Sequence, residues 1–311
     1  MKTPQRPVDR RHFLGTVAAF TALTGSTRSA PPDQPPLVID CHAHVYGEDE
    51  KAYPTIEKPY RPPAGKGTVS HLLGELRANG VSRATAIQTS TFYGWENRFL
   101  ADSSKRHRDV LVGVCTLDPD EPTSPSALER LVRESNVRGM RSIPAKSRKL
   151  DDPGVDALWA TAERLGIVIN VLVNRDKTDE VEALSRRHPS LRVVIDHCLN
   201  LKAGSQLEPT LEDLERLAKL PKVHAKLTFI PTGTAEVYPC RDMHDPCRRV
   251  IAAFGPNRCV WGSNFPCELW NPKATYAQHL AIFTRELGLD AEAKAAILGE
   301  TARRLWFSRP A

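Results

Sequence analysis

The chain has 311 residues, 41% of them hydrophobic and 26% charged, which suits one large globular α/β domain or two modest ones and excludes a low-hydrophobicity disordered chain. Its formal charge is +6, but Lys2, Arg6, Arg10, Arg11 and Arg28 against Asp9 alone place +4 of that in residues 1–30, leaving +2 for residues 31–311. No basic patch interleaved with aromatics remains, so the expected partner is a small-molecule substrate and not a nucleic acid.

Residues 1–30 read as a targeting segment. Arg10-Arg11-His12-Phe13-Leu14 resembles the twin-arginine export signal, and it is followed by a mildly apolar stretch, 14–23, and a small-residue stretch, 24–30. That apolar run is far shorter than the ~20 residues a bilayer requires. The expectation is export to the periplasm or beyond, with no membrane span afterwards. The seven cysteines (Cys41, Cys115, Cys198, Cys240, Cys247, Cys259 and Cys267) form no Cys-x-x-Cys pair. Cys41, Cys115 and Cys259 sit in apolar runs and read as small buried hydrophobes. Cys240 and Cys247 could pair in an oxidising compartment, which spacing alone does not decide.

From residue 36 onward short β-branched runs alternate with helical patterns. Strands are expected at 37–41, 83–88, 110–115, 137–143, 167–173, 192–196, 223–229 and 258–261. Helices are expected at 69–78, 126–134, 155–165, 179–188, 211–220 and 245–254, most with apolar residues at i, i+3 and i+4, then at 276–287 and 291–306. Gly80 and Gly166 fall where helix C-caps belong. Eight strands interleaved with helices predict a single (β/α)8 barrel over residues 36–307. An open doubly wound sheet is the competitor. It would normally carry a glycine-rich turn after its first strand, where this chain has His42-Ala43-His44. The proline- and glycine-rich stretch 45–67 reads as a long loop that walls or covers a site.

In a barrel of this kind the chemistry collects at the C-terminal ends of the strands. Strand one ends in His42 and His44, whose i, i+2 spacing puts both imidazoles on one side. The other strand ends offer Gln88, Arg141, Asp196-His197, Lys226 and Ser263-Asn264. Convergence of His42, His44 and His197 at one mouth predicts a catalytic or metal site. Arg141 is placed to hold a carboxylate or carbonyl oxygen through its planar fork, with Gln88 and Lys226 as further substrate-binding candidates. An ion pair for Arg141 and a structural role for Lys226 are the alternatives. His71, His107, His188 and His279 read as surface residues, and His224 as lying lower in its strand.

Taken in order, Ile39-Asp40-Cys41-His42-Ala43-His44, Arg138-Gly139-Met140-Arg141, Val194-Ile195-Asp196-His197, Trp261-Gly262-Ser263-Asn264-Phe265-Pro266 and Gly299-Glu300-Thr301-Ala302-Arg303-Arg304-Leu305 resemble the amidohydrolase-related family across residues 36–307. The branch most similar contains aldonolactonases and the pyrone-dicarboxylate lactonase. The resemblance implies the same barrel and hydrolysis of a lactone or related ester of a small polar acid. Some members of the family are instead non-oxidative decarboxylases of aromatic or muconic acids. The chain departs from the family where Asn264 replaces the strand-eight aspartate, which binds metal or takes the proton of the attacking water. An amide does neither well. Strand five also ends in Val173-Asn174, without the histidine of the metal-dependent decarboxylases.

His42, His44 and Asn264 with His197 are therefore the expected catalytic set, working without a metal. Zinc held by His42, His44 and His197 with water as fourth ligand is the alternative, and Glu268 is a candidate replacement carboxylate. Asp40 and Asp196 are placed to support the histidines from behind. An exported ligand-binding protein on a decayed catalytic barrel is the reading from another class, kept open by Asn264.

Overall fold

The computed structural model describes residues 1–2 and 36–308. The export-signal expectation therefore lies, apart from Met1 and Lys2, outside the described residues. All eight expected strands form: β1 (Ile39–Ala43), β2 (Arg83–Ile87), β3 (Leu111–Thr116), β4 (Val137–Ser142), β5 (Val168–Val171), β6 (Arg192–Ile195), β7 (Val223–Lys226) and β8 (Cys259–Val260). They pair parallel in sequence order. The ring closes where the Cys41 amide donates to the Trp261 carbonyl at 3.1 Å and Ala43 bridges Phe265. The protein is a (β/α)8 barrel.

Helices Val69–Ala78, Arg98–Arg106, Ser124–Glu134, Pro153–Leu165, Thr178–Arg187, Leu207–Ala218, His244–Phe254 and Tyr276–Ala281 alternate with the strands and follow the last one. Their ends carry the expected chemistry. Thr68 accepts from the His71 amide, Asp152 caps the helix that Pro153 begins, and Thr275 with Gln278 forms a capping box. Gly166 closes its helix at φ +65°, a left-handed conformation that glycine adopts without a Cβ clash.

Two apolar layers result. Ile39, Cys41, Val112, Val114, Val168, Val194 and Val260 belong to the inner cluster, together with Trp306 from the terminal segment. Leu72, Leu128, Trp159, Leu184 and Leu214 fill the shell between strands and helices. A Cβ on Gly139 would stand 3.2 Å from Trp306 Nε1 and 3.0 Å from the Val168 carbonyl, so glycine at this point of β4 leaves room for the indole.

Several local expectations are corrected. Helix Arg98–Arg106 was not foreseen, and the expected helix 276–287 continues beyond Ala281 as a wider turn, Ile282–Glu286. The expected helix 291–306 begins as Ala291–Ala295 and likewise widens at Ala296–Glu300 and Arg303–Phe307. All seven cysteines are buried free thiols, Cys240 and Cys247 included. His188 and His279 are buried, not surface residues. His188 lies between Glu163 and Asp156, 3.1 Å from each, and His279 Nδ1 donates to the Ser263 carbonyl at 3.0 Å. No helix among the described residues is long and apolar enough to cross a membrane.

Candidate active site

At the C-terminal ends of the strands lies a cavity of about 500 Å³, lined in part by His44, Arg141, His197, Asn264 and Trp270. Beneath it is an ion network. Asp196, fully buried at the end of β6, receives Arg141 Nε on Oδ2 at 3.1 Å. Its Oδ1 faces Lys226 Nζ at 2.7 Å and accepts from Asn170 Nδ2 at 3.0 Å. Burial alone would raise the Asp196 carboxyl, but Lys226 and Arg141 hold it well below the usual carboxylate range. Two cations against one anion leave this floor with a net charge of +1.

The histidines take their proton positions from their partners. His44 Nδ1 lies 3.0 Å from the Ile87 carbonyl, which can only accept, so Nδ1 carries the proton and Nε2 a lone pair. His42 Nε2 receives Arg141 Nη2 at 3.0 Å, and Lys226 Nζ stands 3.4 Å from its Nδ1. A neutral imidazole accepts at one nitrogen only, and the shorter contact assigns that to Nε2. His42 Nε2 and His44 Nε2 thus face each other across 3.2 Å with two lone pairs. Burial, reinforced by the charges of Lys226 and Arg141, lowers the pKa of His42 well below its usual value. Burial and Arg141 do the same to His44. His197 is lowered for the same first reason, burial, although Asp196 opposes the shift. All three are neutral at pH 7.

His197 Nδ1 is 2.6 Å from Thr228 Oγ1. That hydroxyl has no other hydrogen-bond partner among the described residues, so it donates to Nδ1 and leaves Nε2–H as a donor. His197 opens a turn, His197–Asn200, whose four residues all have φ between +48° and +60°. Asn264 also sits at positive φ, +57°, and its side chain makes no hydrogen bond among the described residues. The preceding Gly262 is required by close approach, since a Cβ there would meet His42 Cβ at 2.8 Å and the His42 amide at 2.9 Å. Asp40 lies behind β1, where its carboxylate accepts from the His42 and Ser263 amides, the Ser263 hydroxyl and the Tyr276 hydroxyl.

Four expected site residues do not line the cavity, and one of them is His42, wholly buried against Arg141 and Lys226. Gln88 Nε2 clamps the Gly94 and Glu96 carbonyls and so shapes a loop. Lys226 is wholly buried below the histidines, serving Asp196 and not a substrate. Glu268 pairs with Lys66 at 2.7 Å and lines a different cavity, so it does not replace the missing carboxylate. Loop 45–67 does not line the cavity. It props its wall, with the Tyr60 ring 5.2 Å from Trp270 and Trp270 Nε1 donating to the Tyr46 hydroxyl. Asn200 and Trp270 line the cavity without having been foreseen. Their one signal was position, because each follows the end of a strand.

A divalent cation is poorly matched to these groups. The 3.2 Å between the two Nε2 atoms would allow two metal–nitrogen bonds of ~2.0–2.1 Å. The Arg141 guanidinium already occupies the His42 lone pair, and Asn264 stands where a carboxylate would offset the added charge. A dication would join a floor that is positive before it arrives.

The sequence pattern of the amidohydrolase family matches residues 39–307, and the chain belongs to that family. It is a hydrolase-type enzyme of this family on its barrel. An L-fucono-1,5-lactonase of Burkholderia ambifaria is 28% identical over 199 residues, covering 61% of this chain and 67% of the relative. A Pseudomonas putida structure assigned as a 2-pyrone-4,6-dicarboxylic acid hydrolase superposes with a TM-score of 0.74 at 24% identity, covering 88% of this chain and 98% of its own. A Burkholderia multivorans amidohydrolase holding zinc superposes with a TM-score of 0.70 at 25% identity, covering 87% and 99% respectively.

Proposed function

We propose that this enzyme hydrolyses lactones of small polyhydroxylated acids, using histidines and Arg141 without a resident metal. The observation that carries the reading is the unprotonated Nε2 of His44, set by the Ile87 carbonyl at Nδ1, beside a guanidinium that retains free donors. Arg141 Nη1 makes no hydrogen bond among the described residues and is free to bind the lactone carbonyl. It donates to the oxygen as charge develops there, and His197 Nε2–H adds a second donor. His44 Nε2 accepts a proton from the attacking water while the water oxygen bonds to the carbonyl carbon. His44 holds that proton on Nε2 while the carbonyl carbon is tetrahedral. The ring C–O bond then breaks, and the leaving ring oxygen takes the proton back from His44. The product hydroxy acid releases its carboxylic proton to solvent.

The uncharged lining of Thr89, Asn174, Asn200 and Thr232 suits substrate hydroxyls, and the half-buried Trp270 offers a ring face to the C–H side of a sugar-like ring. The L-fucono-1,5-lactonase relative supports this choice over a dicarboxylate. A panel of aldono-1,4- and 1,5-lactones and pyrone dicarboxylate, read by acid release, tests the reading. Turnover of one or more sugar lactones is expected. No acid release from any of them would overturn it.

We further propose that residues 1–30 direct export by the twin-arginine route, as the order of Arg10-Arg11, apolar run and small residues suggests. Replacing both arginines by lysine should keep the protein in the cytoplasm. An unchanged distribution would rule the route out.

A further inference from the structure

The opposite end of the barrel holds a second polar cavity, of about 350 Å³, at the N-terminal ends of β2, β3 and β4. Arg83, the first residue of β2, lines it together with Arg108, which precedes β3, and Arg138 of β4. Among the described residues Asp109 is the one carboxylate in the lining. None of the three guanidinium groups forms an ion pair or hydrogen bond among the described residues. Arg83 is oriented nevertheless, with its guanidinium 5.4 Å above the Phe307 ring. Trp306 completes the wall at 2% exposure, and its buried indole Nε1–H has no hydrogen-bond partner among the described residues.

Among the described residues three cations against one anion give the cavity a net charge of +2, and the donors they leave unused are guanidinium N–H groups. We propose that this cavity is a binding site for a phosphate dianion, free or as the phosphoryl group of a small metabolite. A phosphate carries about −1.5 to −2 charge near neutrality and takes guanidinium forks through paired N–H···O bonds. The volume exceeds that of one phosphate, so a phosphate monoester with a short carbon skeleton fits as well. The site is separate from the catalytic mouth, which lies at the other ends of the same strands. It is not isolated from it, because the Trp306 ring lies 5.6 Å from Lys226 Nζ, and Lys226 holds Asp196.

Isothermal titration of the full chain at low ionic strength with inorganic phosphate, glucose 6-phosphate, and glucose as control tests the proposal. One phosphate-bearing ligand per chain is expected, with no heat from glucose. Tighter binding of glucose 6-phosphate than of phosphate identifies an organic phosphate, and equal binding identifies the free ion. Arg138→Gln and Arg108→Gln should each weaken binding by about tenfold or more, as expected for loss of a charge-assisted bond. Arg138→Lys should fall between, since it keeps the charge and loses the fork. Arg141→Gln, at a side chain that lines the catalytic cavity and not this one, should leave the affinity unchanged. An unshifted melting temperature in Arg108→Gln, an exposed position, shows that the fold is intact. Absence of saturable binding at millimolar ligand overturns the proposal. So does binding that survives Arg138→Gln and disappears in Arg141→Gln.

Discussion

Replacing Asp196 by asparagine keeps the shape of the side chain and removes the one anion among the described residues in contact with Lys226 and Arg141. Both cations would then be buried without a counter-charge, with side-chain exposures of 0% and 5%. At an effective dielectric near 20, a contact of 2.7 Å corresponds to about 6 kcal/mol of attraction and one of 3.1 Å to about 5 kcal/mol. Removing the carboxylate also removes its own desolvation cost of several kcal/mol, so the net loss should be about 3–5 kcal/mol. That is a large part of the ~5–15 kcal/mol that holds a typical domain together. Adding Lys226→Met to Asp196→Asn should recover stability, since one of the two stranded cations is removed with it. Urea unfolding at pH 7, followed by circular dichroism for the parent, both single variants and the pair, gives the four numbers. A loss below about 1 kcal/mol in Asp196→Asn, or a double variant less stable than that single one, would refute the reasoning.

Acid should destabilise the fold through its buried neutral histidines. The folded pKa of His279, fully buried, is pushed down to about 4 from an unfolded value of 6.5, and His42 and His44 are lowered in the same direction. A depressed folded pKa gives stability that is whole above 6.5 and is lost as pH falls, because the unfolded chain takes up protons that the native state refuses. The urea midpoint should therefore fall from pH 6.5 toward 4, and a flat midpoint would contradict the neutral assignments. Protein purified without chelator should contain far less than stoichiometric zinc, and dialysis against a strong chelator should leave lactone hydrolysis unchanged. Stoichiometric zinc with loss of activity on its removal would refute the charge argument made from Arg141 and Asn264. Gly262→Ala should cost about 2 kcal/mol or more and most of the activity, since its Cβ would press on the His42 backbone. Near-native stability and turnover would show that β1 and β8 can separate there freely.

The strands were legible because each is a short β-branched run, buried on both faces by the layers of a barrel. Helix Arg98–Arg106 was not, because its buried positions are Leu100, Ala101, Ser103 and Ser104, and two serines carry no apolar stripe. His279 and His188 were misread for another reason. Their partners, the Ser263 carbonyl and the Glu163 and Asp156 carboxylates, lie 16 to 32 residues away, and nothing local announces them. The site histidines could be found from strand ends alone. Whether a strand-end residue faces the cavity or the floor depends on where its strand stops. Lys226 is the last residue of β7 and stays below the mouth, whereas the expected strand ran on to 229. Trp270 and Asn200 belong to loops whose paths are set by tertiary contacts, so no pattern in the chain foretold them.

The left-handed turn His197–Asn200 bears on the order in which the molecule assembles. Left-handed backbone costs roughly 1–2 kcal/mol for each residue that is not glycine, and four occur in succession. A turn of this kind cannot seed structure and holds only once its surroundings are in place. Those surroundings are distant in sequence: Thr228 bonded to His197, the Lys226 carbonyl receiving the Cys198 thiol, and Asn174 bonded to Asn200. β5 and β7 must therefore be aligned before β6 can present its histidine. The catalytic mouth is expected to form late and loosen early, so mild denaturant should silence the enzyme while the sheet is still closed.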